Sequence, residues 1–261
     1  MLGKLMKHEL NATLRLLAPL YIALLFMSLI NRFIFQLNIQ EGILMFFTGI
    51  LMFVQIVLIF AILIATVLIM IIRFYKNLLS DEGYLMFTLP VNTHQLIISK
   101  LVITLFWLII SIVIVLSSLS ITFLTADNAG LIINEIKNIP DRLSVTFGDN
   151  SLTLVIELIL MILVGAVSNI MIVYASIAIG QLFSKHKILA SIISYVVIYN
   201  ALQIILLIAI VILSFIVTGN INFTNVLPQM FFPIIIAITL LTGLGFYMIT
   251  NGIFEKKLNL E

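Results

Sequence analysis

An uncharged run of 31 residues lies between Glu41 and Arg73 in this chain. At 1.5 Å per residue, a helix over this run would be roughly 46 Å long, whereas the hydrocarbon core of a bilayer is about 30 Å thick. Within lipid, a single segment satisfies all of its backbone hydrogen bonds only as a helix. The run therefore predicts a membrane-spanning helix that tilts or protrudes beyond the bilayer.

Similar runs recur along the chain, of which 63% is hydrophobic and 9% charged, with a mean hydropathy of +1.30. Soluble domains contain about 25% charged residues, so this composition is typical of an integral membrane protein. The predicted fold class is an all-α membrane protein with a single transmembrane domain over residues 1–261. We expect six transmembrane helices, at about 16–37, 43–75, 101–124, 153–183, 188–217 and 234–254.

Residues 1–12 carry apolar and polar side chains on opposite faces of a helix. The apolar residues are Leu2, Leu5, Met6 and Leu10, and the polar residues are Lys4, Lys7, His8 and Asn11. This pattern predicts a helix lying in the membrane interface. The alternative is that these residues are simply the solvated start of the first span.

The segment 126–152 separates the third and fourth spans and contains six charged residues. Ile132, Ile136 and Ile139 recur in it at helical spacing. We therefore expect a small external loop with one amphipathic helix.

Lysine and arginine are distributed unequally between the two sides of the membrane. Six spans put both termini on one side, and ten of the 13 basic residues fall on that side. The positive-inside rule makes this side the cytosol, so we expect a multi-pass protein of the cell membrane with cytosolic termini. The ten are Lys4, Lys7, Arg15, Arg73, Lys76, Lys100, Lys185, Lys187, Lys256 and Lys257. The other three are Arg32, which we expect to extend to the outer interface, Lys137 and Arg142.

Several classes of function are excluded by what the sequence lacks. The absence of cysteine excludes disulfides and thiolate metal ligands, and a net charge of +2 is too small to indicate a nucleic-acid partner. The chain contains neither HExxH nor a GxxxxGK[ST] P-loop. His8, His94 and His186 are far apart, and we assign them no catalytic or metal-binding role. We expect no catalytic, metal or cofactor site and no enzyme activity on this chain.

Few polar side chains lie within the predicted spans. Glu157 is near the outer end of the fourth span, either as an interfacial carboxylate or facing a central cavity, where it would meet a cationic substrate. Amides such as Gln55, Asn169 and Gln203 more often join neighbouring helices than bind substrates. A proton-coupled carrier usually contains more buried carboxylates than this one candidate.

The stretch RFYKNLLSDEGYLMFTLPVNTHQLIISK, residues 73–100, is the longest charged interval between two spans. Ser80 can cap a short helix with two carboxylates in its first turn, where they interact favourably with the helix dipole. Pro90 ends this helix, because the residue before a proline is disfavoured in the α region. The stretch predicts an amphipathic cytosolic helix over residues 80–89.

The order of these features resembles, over the whole chain, the small membrane subunits of ABC-2 type transporters, the permease class of bacterial drug, bacteriocin and polysaccharide exporters. Its most specific part is an acidic residue and a glycine, a short apolar helix, a proline, and a polar turn that leads to a lysine at the start of the third span. The matching positions are Glu82, Gly83, Leu89, Pro90, Thr93, Gln95 and Lys100.

The resemblance implies that residues 1–12 form an elbow helix and that residues 80–89 form a coupling helix docking on a separate ATPase subunit, which binds ATP and Mg. The alternative for residues 80–89 is a helix that only buries its apolar face in lipid. The residues implied in ATPase coupling are Asp81, Glu82, Gly83, Tyr84, Met86, Phe87 and Pro90.

The resemblance also implies two permease subunits, as a homodimer or a heterodimer, with the substrate path lined by their second and fifth spans. This would place Gln55, Asn200 and Gln203 near the path, and Glu157 is the further candidate. The expected function is export of an amphipathic or hydrophobic substrate, such as an antimicrobial peptide or a drug. Two alternatives stay open: an ion-coupled secondary carrier, and a non-transporting membrane sensor or assembly factor.

Overall fold

The computed structural model of the chain describes residues 2–37, 42–79, 92–124, 126–147, 151–183, 185–217 and 231–256. Within these residues the secondary structure consists of seven helices and no strand. The helices are α1 (Leu2–Gln36), α2 (Gly42–Leu79), α3 (Thr93–Phe123), α4 (Ala126–Phe147), α5 (Ser151–Gly180), α6 (Lys187–Val217) and α7 (Phe232–Lys256). All except α4 are long and apolar enough to cross a membrane. The prediction of an all-α, multi-pass membrane protein is confirmed at this level.

Helix α1 continues without a break from the segment predicted to lie in the interface into the first span. Pro19 lies inside this helix, where its ring removes one backbone N–H, a loss that membrane helices tolerate. The structure contains no turn between the two predicted segments within residues 2–36. An interfacial location for residues 1–12 stays a prediction.

The contacts within the chain define two compact units. Unit 1 comprises Met1–Arg73 and Ile98–Ile136, and unit 2 comprises Phe74–Ile97 and Lys137–Glu261.

In unit 1, one stripe of α1 is buried at intervals of three or four residues, which is the spacing of a single helical face. The stripe consists of Glu9, Thr13, Leu17, Tyr21, Leu24, Ser28 and Asn31. Its middle joins an apolar cluster with Ile62 and Met70 of α2 and with Ile103 and Trp107 of α3. Large apolar residues such as Ile22 and Phe26 remain exposed on the opposite face, which suits contact with lipid.

Hydroxyl pairs set the register between α1 and α3. The hydroxyls of Tyr21 and Ser111 are 2.8 Å apart, and those of Ser28 and Ser118 are 2.6 Å apart. Because each partner advances by seven residues from one pair to the next, α1 and α3 run parallel in constant register. In α2, Thr66 meets Ser111 and the earlier Gln55 meets Ser118, so α2 runs antiparallel to α3.

In unit 2, aromatic stacking and two glycines bring helices close together. The ring of Tyr174 in α5 stacks on Phe74 with 3.7 Å between centroids and 7° between planes. A Cβ added at Gly180 would lie 2.7 Å from the backbone nitrogen of Ser191, so α5 and α6 approach closely at their short connection. A Cβ added at Gly243 of α7 would lie 2.5 Å from the hydroxyl of Ser168 in α5. Both glycines therefore provide space that no other residue type would leave.

Candidate functional site

Three charged side chains meet in the interior of unit 1. Glu9 of α1 is 4% exposed and accepts a hydrogen bond from Nε of Arg73 in α2, at 3.0 Å from Oε2. The Nη2 atom of Arg73 lies 3.0 Å from the same oxygen. The ammonium of Lys100 in α3, a residue that is 5% exposed, forms an ion pair with the other carboxylate oxygen, Oε1. One carboxylate thus joins cations from two other helices, and we call these three residues the charge cluster.

Two members of the charge cluster, Arg73 and Lys100, flank in the sequence the segment predicted to couple to an ATPase. Arg73 is within the last two turns of α2, and Lys100 is about two turns inside α3. The cluster therefore holds together the two helices that lead into and out of residues 80–91. Residues Asp81, Glu82, Gly83, Tyr84, Met86, Phe87 and Pro90 lie outside the residues that the structure describes.

Sequence reasoning assigned Arg73 and Lys100 to the cytosolic side but did not identify Glu9. Two signals in the sequence distinguish Glu9. It is the only acidic residue among the basic residues of the first 15, and it begins the stripe that continues through Thr13 and Leu17. A carboxylate on the apolar stripe of a membrane helix is expected to have a cationic partner.

A second polar cluster lies in unit 2, where the first residues of α3 meet the last turns of α7. Nδ1 of His94 is 2.7 Å from the hydroxyl of Tyr247, and Nε2 is 3.3 Å from Nδ2 of Asn251 and 3.8 Å from the carboxylate of Glu255. The hydroxyl of Thr93 lies 3.0 Å from Oδ1 of Asn251 and 3.1 Å from the carboxylate of Glu255. These contacts attach the residues that directly follow the predicted coupling segment to α7.

Among the predicted path residues, Gln55 is buried in unit 1. Its Oε1 accepts a hydrogen bond of 2.6 Å from Asn31, and its Nε2 donates to the hydroxyls of Ser118 at 3.1 Å and Thr122 at 2.9 Å. Both the oxygen and the nitrogen of the Gln55 amide are therefore hydrogen-bonded to residues of α1 and α3. This geometry favours the interpretation of Gln55 as a contact between helices rather than as a substrate ligand.

Gln203 lines a cavity of about 330 Å³ in unit 2, formed by α5, α6 and α7. The other residues around it are Ser168, Asn169, Ile172, Tyr199, Leu202, Ile205, Leu206, Ile238, Thr239 and Thr242. The lining is uncharged and combines aliphatic side chains with amides and hydroxyls. Gln203 is exposed, so its amide is accessible to a polar group in the cavity.

Asn200 and Glu157 do not line this cavity. Asn200 is exposed, and its amide donates 2.7 Å to the carbonyl of Val196 in its own helix. Glu157 lies within the first two turns of α5 and is partly buried, a position near the helix end that favours the interfacial interpretation of its carboxylate.

The described residues contain no group of three or more His, Asp or Glu side chains that is arranged to hold a metal ion. His8 and His186 are both exposed.

Comparisons of this chain with protein-family models, with curated proteins and with solved structures found no match.

Proposed function

We propose that this chain is the membrane subunit of an ATP-driven exporter of the ABC-2 type, which forms half of the substrate path and is driven by a separate ATPase subunit. The observation that carries this proposal is the charge cluster of Glu9, Arg73 and Lys100. It joins α1 to α2 and α3, the helices that precede and follow in the chain the segment on which an ATPase would exert force.

A coupling segment transmits movement only if its two attachments move as one body. Buried ion pairs with hydrogen bonds resist separation, because a cation left alone in a low-dielectric interior is strongly destabilised. Glu9 provides this connection by binding cations from both flanking helices. A solvated hinge at the same place would absorb the force locally.

The charge cluster also argues against an ion-coupled carrier. Such a carrier needs carboxylates that gain and lose protons or cations during transport. Glu9 is the only acidic residue that is buried as a whole among the described residues, and two cations already bind it. Glu157 is partly buried, and its Oε2 is inaccessible and has no hydrogen-bond partner in the described part of the chain. The arrangement of Glu9 suits permanent attachment better than cyclic ion binding.

The cavity in unit 2 suggests the substrate class. A volume of about 330 Å³, lined by aliphatic groups, hydroxyls and amides, fits an uncharged polar group carried on an apolar body. The proposed substrate is therefore amphipathic, and Gln203 would bind its polar group. We further propose that the protein lies in the cell membrane with both termini in the cytosol. Two permease subunits would together form the transporter.

The coupling mechanism is tested by purifying the chain in mild detergent together with the ATPase subunit and measuring ATP hydrolysis. Glu82→Arg and Phe87→Ala should each reduce the stimulation of ATPase activity by the membrane subunit. Asp141→Asn, which changes an exposed residue of α4, is the control and should leave this stimulation unchanged. Normal stimulation in both coupling variants would refute the mechanism.

Transport itself is tested in liposomes with and without the ATPase. The proposal expects flux only when both the ATPase and ATP are present. Flux driven by an ion gradient from this chain alone would identify a secondary carrier, and partner binding without flux under any energy source would identify a sensor or assembly factor.

The role of the cavity is tested by Gln203→Leu, which should reduce transport of an amphipathic substrate at least several-fold. Asn200→Leu is a matched control, because it removes an exposed amide of the same helix that does not line the cavity. Equal effects of the two substitutions would remove the basis for assigning substrate binding to the cavity.

A further inference from the structure

Helix α4 is connected at both ends to predicted membrane-spanning helices by very short segments. It begins at Ala126, directly after α3 ends at Phe123, and it ends at Phe147, shortly before α5 begins at Ser151. The helix contains 22 residues, which corresponds to about 33 Å of helix axis, and Pro140 lies inside it. A helix whose two ends are held at the same membrane boundary lies along that boundary rather than projecting from it.

Four of the large apolar side chains of α4 lie on one face, whereas Leu131 and Val145 lie outside it. Ile132, Ile136, Ile139 and Leu143 follow one another at intervals of three or four residues and define the apolar face. Ile136 and Ile139 are 59% and 50% exposed, so the apolar face remains available for contact. The polar residues between them point elsewhere, and Asn138 lies on the side opposite Ile136.

The surfaces on either side of α4 are also apolar and exposed. Phe123 at the end of α3 is 49% exposed, and Leu152 at the start of α5 is 72% exposed. Both residues belong to helices that are long and apolar enough to cross a membrane, so the residues that flank α4 in the chain suit contact with lipid.

We propose that α4 binds the bilayer surface on the side opposite the termini, with the Ile132, Ile136, Ile139 and Leu143 face inserted at the boundary between headgroups and acyl chains. A segregated apolar face, a charged opposite face and attachment at both ends are the properties of an interfacial helix. This membrane-surface contact does not depend on ATPase coupling, and its function would be to fix the positions of the adjoining ends of α3 and α5 relative to the membrane.

The absence of native cysteine allows this proposal to be tested on the complete chain by single-site spin labelling. Ile136→Cys, Ile139→Cys and Asn138→Cys are each labelled with a nitroxide and reconstituted in phosphatidylcholine nanodiscs. Collision with oxygen, which is enriched in lipid, and with a water-soluble nickel chelate is then measured by electron paramagnetic resonance. Asn138→Cys is the matched control from the same turn of the helix.

The labels at positions 136 and 139 should collide mainly with oxygen, and the label at position 138 mainly with the nickel chelate, with a ratio of the two accessibilities at least several-fold higher on the apolar face. Equal nickel accessibility at all three positions would overturn the proposal. Dipolar broadening between labels at position 136 would also overturn it, because the apolar face would then be covered by a second copy of the chain. Two variants of the apolar face are used so that one still gives a result if the other does not fold.

Discussion

At the residue scale, Glu9 stabilises the fold mainly by neutralising two largely buried cations, Arg73 and Lys100. If its charge is removed, Arg73 and Lys100 keep their charges in a site that is largely inaccessible to water. The cost of leaving a buried ion without its partner is about 3–5 kcal/mol, larger than the net value of the intact pair. The cluster is therefore more important for holding three helices in place than for the stability it adds over an apolar equivalent.

We expect Glu9→Gln to lower the free energy of unfolding by about 3 kcal/mol or more, because one neutral amide cannot compensate two buried cations. The measurement is the midpoint temperature for loss of monodisperse protein in detergent. Asp141→Asn neutralises an exposed carboxylate and is the control. The double variant Glu9→Gln with Lys100→Gln should be less destabilised than the sum of the single variants; strict additivity would show that the two residues do not interact.

Gln55 is the second residue whose replacement should be costly, since its amide is hydrogen-bonded to Asn31, Ser118 and Thr122. Hydrogen bonds between membrane helices contribute about 0.6 kcal/mol each on average, with a maximum near 1.7 kcal/mol. Gln55→Ala should therefore lower stability by about 1–3 kcal/mol in the same thermal assay. Asn200→Ala removes an amide that bonds only within its own helix and should change little; similar losses in both variants would contradict the interhelical role of Gln55.

At the element scale, the helices of unit 1 are held by polar contacts and those of unit 2 by close packing at glycines. Along unit 1 the register of α1 with α3 is maintained by polar contacts at both ends and in the middle, from Glu9 with Lys100 to the Arg32 guanidinium, which donates 3.1 Å to the carbonyl of Ile121. In lipid there is no hydrophobic drive for two apolar helices to associate, so such polar contacts and close packing decide the arrangement. In unit 2, Gly180 and Gly243 instead allow neighbouring helices to pack closely.

Two glycines of α5 provide a direct test of close packing. Gly180→Ala should destabilise the protein, because the new Cβ would lie 2.7 Å from the backbone nitrogen of Ser191. Gly165→Ala adds a Cβ that meets nothing within 4 Å, so it should be neutral or stabilising by up to about 1 kcal/mol. The two variants are compared by thermal midpoint in detergent, and a Gly180→Ala protein as stable as Gly165→Ala would mean that α5 and α6 are not in contact there.

At the scale of the whole molecule, the six candidate membrane-spanning helices and the distribution of basic residues predict a topology that can be tested directly. Single cysteines replacing His8 and Lys185 should be protected from a membrane-impermeant maleimide in intact cells and should react after the cells are opened. A cysteine replacing Asn134 in α4 should react in intact cells. All three positions are exposed in the structure, so burial does not explain a difference. The reverse labelling pattern would invert the assignment of sides.

Much of this architecture follows from the amino-acid sequence alone, because lipid imposes it. A segment such as the one between Glu41 and Arg73 has no alternative to a helix, since each unsatisfied backbone group in hydrocarbon costs several kcal/mol. The six helices and the amphipathic pattern of α4 could be derived in this way. These are properties of single segments, in which the chain determines the outcome without reference to other segments.

The partners of Glu9, Asn31 and Gln55 could not be derived in this way. The buried stripe of α1 has the period of one helical face, but this period alone does not say whether Glu9 faces α2, α3 or a subunit outside the chain. Nor does the sequence say that Gln55 bonds within unit 1 while Gln203 lines a cavity. The amino-acid sequence determined that six long apolar segments form helices and that α4 is amphipathic, because solvation acts on each segment separately. Only the tertiary structure decided which polar faces meet, because a hydrogen bond depends on distances of a few ångströms between residues far apart in the chain.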